Sequence, residues 1–189
     1  SRKRHAEALE LIWTAFVEHH GLENYKNLKT HADRTKDWPQ WQDKALAFVR
    51  EQLAKEREAA KKDRWSWYAR EGHSELVHIY LWERRNEDAW REAKEGGCSD
   101  ELWIKLAALR EEKHPKDALS IYQARIEPAL NQTNDEAYRR AVEFLQKVRG
   151  LMNRLGRSEE FARYLESIRI AYKRKRNFMK MLDRGIQTR

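Results

Sequence analysis

The run Lys173-Arg174-Lys175-Arg176 is the densest concentration of reactive charge in this chain, and Lys180 and Arg184 extend it with Phe178, Met179 and Leu182 interleaved. Guanidinium and ammonium groups bind phosphate or carboxylate, Arg through a planar bidentate fork and Lys as a point charge. Read as one helix from Ser158 to Leu182, the four consecutive bases wrap all sides, so some keep only their stems on the packed face. The plainer alternative is a solvated C-terminal helix whose positive end complements the dipole. A second candidate is Trp65, Trp67 and Tyr68 beside Lys61, Lys62 and Arg64, because cations interleaved with rings bind single-stranded nucleic acid by base stacking. Trp13, Trp41, Trp90 and Trp103 lie instead on apolar stripes, where a large ring fills the gap between helices.

Nucleophilic and metal chemistry find less support. Cys98 follows Gly96-Gly97 and precedes Ser99 at a helix start, where amide dipoles lower a thiol pKa, but no glycine-rich phosphate loop, Gly-x-Ser-x-Gly or paired-carboxylate motif accompanies it. His19-His20, His31, His73, His78 and His114 make no HExxH pair, and a tetrahedral metal site needs about four converging ligands. His73 and His78, five apart, fall on different faces of a helix and read as surface or capping histidines. Most carboxylates stand in helix first turns or beside Lys and Arg, where capping and i,i+4 pairing account for them. The expectation is a protein with no catalytic residue, no metal and no cofactor.

The elements that position these groups are helices. Ala8, Leu11, Ile12, Ala15 and Phe16 form one stripe, which Gly21 ends, and Leu22, Tyr25, Leu28 and Ala32 a second. Asp37-Trp38-Pro39 restarts the chain, and Trp41, Ala45, Phe48, Val49 and Leu53 line a helix whose continuation to Arg64 is charged and solvated. Ser74 is expected to cap the helix of Leu76, Val77, Tyr80 and Leu81. Helices opening at Asn86, Ser99, His114-Pro115, Asn134-Asp135 and Ser158 follow, with Gly96-Gly97 and Gly156 as stops. Residues 1–60 thus form N-terminal helices, 61–73 a connector and 74–189 a series of hairpins within one domain.

Composition agrees. Eight Trp, seven Tyr and five Phe supply bulky apolar surface that disordered chains lack, and seven Gly and three Pro leave few turns for an all-β fold. A single cysteine makes no intramolecular disulfide, and no stretch approaches the roughly 20 apolar residues of a membrane span, so a cytoplasmic address is expected. The formal charge of +8 is unevenly placed: Arg139 to Arg189 holds fifteen Lys and Arg against five Asp and Glu, a net of +10, leaving −2 for the rest. Such asymmetry implies an anionic partner, whether nucleic acid, an acidic protein face or a phosphorylated ligand.

Similar phrases open the second helix of successive pairs: Arg85-Asn86-Glu87-Asp88-Ala89-Trp90, Lys113-His114-Pro115-Lys116-Asp117-Ala118-Leu119 and Arg157-Ser158-Glu159-Glu160-Phe161. Arg4-His5-Ala6-Glu7-Ala8-Leu9 reads the same way, so its first helix is expected to lie upstream and the chain to be the C-terminal piece of a longer protein. The repeats are degenerate in length. The segments Asp37-Trp38-Pro39, Leu81-Trp82-Glu83, Ala89-Trp90-Arg91-Glu92-Ala93 with Gly96-Gly97-Cys98, Leu102-Trp103, Ala107-Ala108-Leu109-Arg110-Glu111, His114-Pro115-Lys116-Asp117-Ala118-Leu119 and Lys173-Arg174-Lys175-Arg176-Asn177-Phe178-Met179, with the opening phrase, resemble the C-terminal region of bacterial SWIM zinc-finger proteins. That resemblance implies a tetratricopeptide-like helical tail. With Cys98 alone the chain cannot hold the family's Cys-x-Cys…Cys-x-His zinc module, and no function of that module carries over.

The reading is an all-α, tetratricopeptide-like superhelix of about five antiparallel helix pairs, acting as a non-catalytic scaffold for a protein or peptide partner. The alternative is a nucleic-acid-binding accessory domain using residues 139–189. The residues expected to touch a partner are Lys173, Arg174, Lys175, Arg176, Lys180, Arg184, Trp65 and Trp67, with no role at a membrane.

Overall fold

The computed structural model describes residues 2–61 and 71–186. These form helices α1 (Arg2–Glu18), α2 (Leu22–Thr35), α3 (Trp38–Ala60), α4 (Ser74–Trp82), α5 (Asn86–Gly96), α6 (Asp100–Arg110), α7 (Pro115–Asn131), α8 (Asp135–Arg154), α9 (Ser158–Tyr172) and α10 (Arg176–Gly185), with no strand among the described residues. Contacts group them into two compact units, Ser1–Trp103 and Ile104–Arg189, the division falling inside α6.

In the first unit α1 packs on α2, α2 on α3 and α4, α3 on α4, and α4 on α5. Tyr25, Leu28, Ala32, Val49, Leu76 and Ile79 are fully enclosed at its centre. The buried face of α1 differs from the expected stripe: Leu9 and Phe16 are buried, whereas Leu11 is 73% exposed and Ala15 points outward. The reason lies in Trp13. Its ring meets Phe16, Trp41 and Phe48 with centroids 5.6–5.7 Å away, and burying so large a ring outweighs burying two alanines, so the helix turns to present Leu9, Trp13 and Phe16.

A carboxylate ties three elements of this unit together. The Tyr25 hydroxyl donates to Glu83 Oε1 at 2.7 Å, Gln42 Nε2 donates to the same oxygen at 2.6 Å, and Arg85 lies 3.4 Å from Glu83 Oε2. Burial, with the hydrogen bond to Glu83, pushes the Tyr25 phenol far above its ordinary value. The entry to α4 is equally constrained. Gly72 sits at φ +51°, the His73 amide donates to Gly97 O at 2.9 Å, and the Ser74 hydroxyl donates to Glu71 O and accepts from the Ser99 amide at 2.9 Å. Ser74 is therefore not the cap of α4. His73 occupies that position, and Ser74, one residue inside, holds the start of α4 to the segment after α5.

In the second unit α7 packs on α8, and α8 on α9 and α10. The Asn134 side chain accepts from the Ala137 amide at 2.8 Å, the expected cap of α8, while Pro115 occupies the first turn of α7. Tyr122 stacks on Phe144 at 5.9 Å across the α7–α8 hairpin, and Gly156, at φ +70°, turns the chain after α8. Leu109 is 51% exposed, and its helix buries Leu102, Leu106 and Ala107.

Candidate functional site

The single helix expected from Ser158 to Leu182 is two helices. α9 stops at Tyr172, Lys173 to Lys175 form a turn in which the Lys175 amide donates to Tyr172 O at 2.9 Å, and α10 begins at Arg176. At 100° per residue, Phe161, Leu165 and Ile168 share one face, but Phe178 and Leu182 on the same straight helix would lie about a quarter-turn round from it. Breaking the helix lets both sets be buried. Phe178 and Leu182 are fully enclosed, with the Phe178 ring 5.9 Å from Tyr138 and 6.2 Å from Tyr172. That phase change is the signal in the sequence that marks the turn.

The consequence is a different presentation of the basic run. It does not wrap a helix with stems buried: Lys173 and Arg174 are exposed in the turn, and Lys175 alone is half-buried, its Nζ 5.6 Å from the centre of the Tyr138 ring. Arg176, Lys180 and Arg184, all exposed, make one i,i+4 ridge opposite Phe178 and Leu182. α10 runs parallel to α8, since Asn177 donates to Asp135 at 3.1 Å and Gln146 to Gly185 O at 3.0 Å. Trp65 and Trp67, with Tyr68, Lys62 and Arg64, lie outside the described residues.

The charge of the ridge is met differently from that of five bases elsewhere in the chain. Lys26, Lys29, Lys55, Lys61 and Arg157 are each paired with a carboxylate three or four residues away, at 2.5–2.7 Å. Lys173, Arg174, Arg176, Lys180 and Arg184 have no carboxylate partner among the described residues, and Asp183 within α10 is taken by Arg169 of α9 at 2.6 Å.

Two polar sites in the first unit were not foreseen. His73, read as a surface or capping histidine, holds the cap position of α4 but is buried, with its Nδ1 3.1 Å from Glu92 Oε2, and Arg50 donates to Glu92 Oε1 at 2.7 Å and to the Tyr80 hydroxyl. Burial raises the Glu92 carboxyl, but the hydrogen bonds from His73 and Arg50 outweigh it and hold the group below its ordinary range. This cluster floors a cleft of about 430 Å³ rimmed by Arg57, Lys61 and Glu95. Its members are separated by 19 and 42 residues, so no local motif announces them.

The second site is a hollow of about 360 Å³ lined by Glu18 at the end of α1, His19 and His20 just after it, Glu56 of α3 and Glu75 of α4. His20 Nε2 lies 3.1 Å from Glu75 Oε2, while His20 Nδ1 and Glu56 Oε2 are buried without a hydrogen-bond partner. Burial, then the nearby Glu56 charge, pushes the Glu75 carboxyl up to about 7, and burial lowers His20. A carboxyl raised in the folded state stabilises below its unfolded value near 4.5, and that contribution is lost as pH rises through about 7. Glu75→Gln is therefore expected to raise stability above pH 7 by about 1–2 kcal/mol, after discounting for solvent screening, and to flatten the pH dependence between 5 and 8. Urea titrations at several pH values check it, and an unchanged slope would show that Glu75 ionises normally.

Among the described residues no group of three or more His, Cys, Asp and Glu is arranged to hold a metal ion, and no helix is long and apolar enough to cross a membrane. Cys98 is half-buried. No protein-family model, curated protein or solved structure matches the chain.

Proposed function

We propose that the chain is a non-catalytic helical-repeat scaffold that mediates protein–protein interaction, its helices arranged as degenerate tetratricopeptide-like pairs of an α-α superhelix. The observation that carries this reading is the order of packing. Within each unit helices pack on the next helix along the chain or the next but one, α10 on α8 and α2 on α4 among them, as stacked hairpins do. The buried polar groups hold helices together: Glu83 joins α2, α3 and the end of α4, and Glu92 joins α3 to the start of α4. The resemblance to the helical tails of bacterial SWIM zinc-finger proteins supports the same assignment.

Photo-crosslinking in cells tests it, with a photoreactive residue placed in turn at Leu11, Ile170 and Lys180, all exposed. Protein adducts confined to one of these surfaces are expected. Adducts to nucleic acid alone would overturn the scaffold reading in favour of the alternative, an accessory domain that binds nucleic acid through residues 139–189. One observation favours that alternative, the net charge of +10 in the segment. Its mark is oligonucleotide affinity that falls steeply with salt and weakens when Lys173 to Arg176 are replaced by Ser; no binding at low salt sinks it.

A further inference from the structure

We infer that the outer face of α9 and α10 docks an acidic helical segment of a protein partner, one that carries an apolar side chain among its carboxylates. The inference rests on the scaffold reading and adds the partner's chemistry. Arg176, Lys180 and Arg184 follow one another every four residues, about 6 Å along the helix, and like charges at that spacing destabilise a helix on its own. Lys26, Lys29, Lys55 and Lys61 are each neutralised by a carboxylate three or four residues away, and here none is supplied. A partner helix with Glu or Asp at the same i,i+4 spacing matches the ridge charge for charge. Lys173 and Arg174, exposed in the turn, extend it.

Ile170 decides between an acidic protein and a nucleic acid. It is 62% exposed on α9, on the side opposite Phe161, Leu165 and Ile168, and lies two residues before the helix ends, so a large apolar side chain stands close to the turn that exposes Lys173 and Arg174. Phosphates gain nothing from it. An amphipathic peptide buries it under an apolar side chain of its own, and arginine beside an apolar anchor is the composition of protein interfaces. A single strand, in turn, needs rings to stack on. The nearest aromatic rings are engaged elsewhere: Tyr172 stands edge-on to Phe178, and Tyr138 is buried beneath Lys175.

The test is fluorescence anisotropy of the intact chain with a labelled helical peptide bearing Glu at every fourth position and Leu beside it, its Gln-for-Glu counterpart, and single- and double-stranded oligonucleotides. Binding of the acidic peptide alone is expected, weakened at least about 10-fold by Arg176→Glu, Lys180→Glu and Arg184→Glu together and about 3- to 10-fold by Ile170→Ser. All four side chains are solvent-facing, and helix content by circular dichroism confirms that the variants fold. Three results would overturn the inference: no peptide binding at low salt, peptide binding indifferent to charge reversal, or tighter oligonucleotide binding that ignores Ile170→Ser. Protein adducts at Leu11 but not at Ile170 or Lys180 in the crosslinking experiment would leave the scaffold standing while this surface fails.

Discussion

Replacing Glu83 by Ala is expected to cost the first unit about 3 kcal/mol, because a carboxylate that joins three elements is removed and its partners are left behind. The Glu83 side chain is 8% exposed, and Tyr25, whose hydroxyl donates to it, is fully buried between Trp38 and Trp82, with ring centroids at 5.2 and 6.0 Å. Truncation therefore leaves an enclosed hydroxyl without its acceptor. Gln42 loses the same acceptor, whereas Arg85 keeps Asp88 at 2.8 Å, so the damage falls on α2 and α3. Glu83→Gln, which retains an acceptor for Tyr25, is expected to cost about half as much. Tryptophan fluorescence during urea unfolding reads this directly, since all eight Trp lie within Ser1–Trp103. A loss below about 1 kcal/mol for Glu83→Ala would mean that the node is solvated and that aromatic packing alone joins these helices.

The node also shows what a linear sequence conceals. Helix positions and most buried residues were readable because apolar spacing of three and four residues is a local property: Tyr25, Leu28 and Ala32, or Tyr138, Ala141, Val142, Leu145 and Met152, are buried as their spacing requires. Glu83 was one acidic residue among thirty-one, and its partners lie 58 and 41 residues away. Competition between local signals went unread as well. Serine at a helix start reads as a cap, yet His73 and Arg157 hold the cap positions before Ser74 and Ser158, and Ser158 donates instead to Asn153 at 2.9 Å. In α1 the apolar residues permit two faces, and the one chosen depends on where Trp41 and Phe48 of α3 stand. As for the candidate surface, the cations themselves were legible. Their separation from the core went unread, although the phase change between Ile168 and Phe178 signals it, because a continuous run of apolar spacing hides the turn at Lys173 to Lys175 that the burial of Phe178 demands.

Gly96→Ala provides the sharpest check on how α4 enters the first unit. A helical glycine replaced by alanine ordinarily gains stability, by up to about 1 kcal/mol. Gly150, in α8 with open space around it, is expected to follow that rule. Gly96, the last residue of α5, is expected to reverse it and lose about 2–4 kcal/mol, because a Cβ there would stand 2.1–2.3 Å from three atoms of the His73 imidazole. The ring has little freedom to retreat. Its Nδ1 is bonded to the buried Glu92 carboxylate, and its backbone amide to Gly97 O at 2.9 Å. Movement that relieves the clash thus breaks a buried charge-assisted contact or lifts α4 from the end of α5. The double variant Gly96→Ala with His73→Ala separates these causes: if the imidazole is the obstacle, the pair of substitutions costs clearly less than the sum of the two measured singly. A stabilised Gly96→Ala protein would instead show that α4 and α5 do not approach this closely, and the buried position of His73 would fall with it.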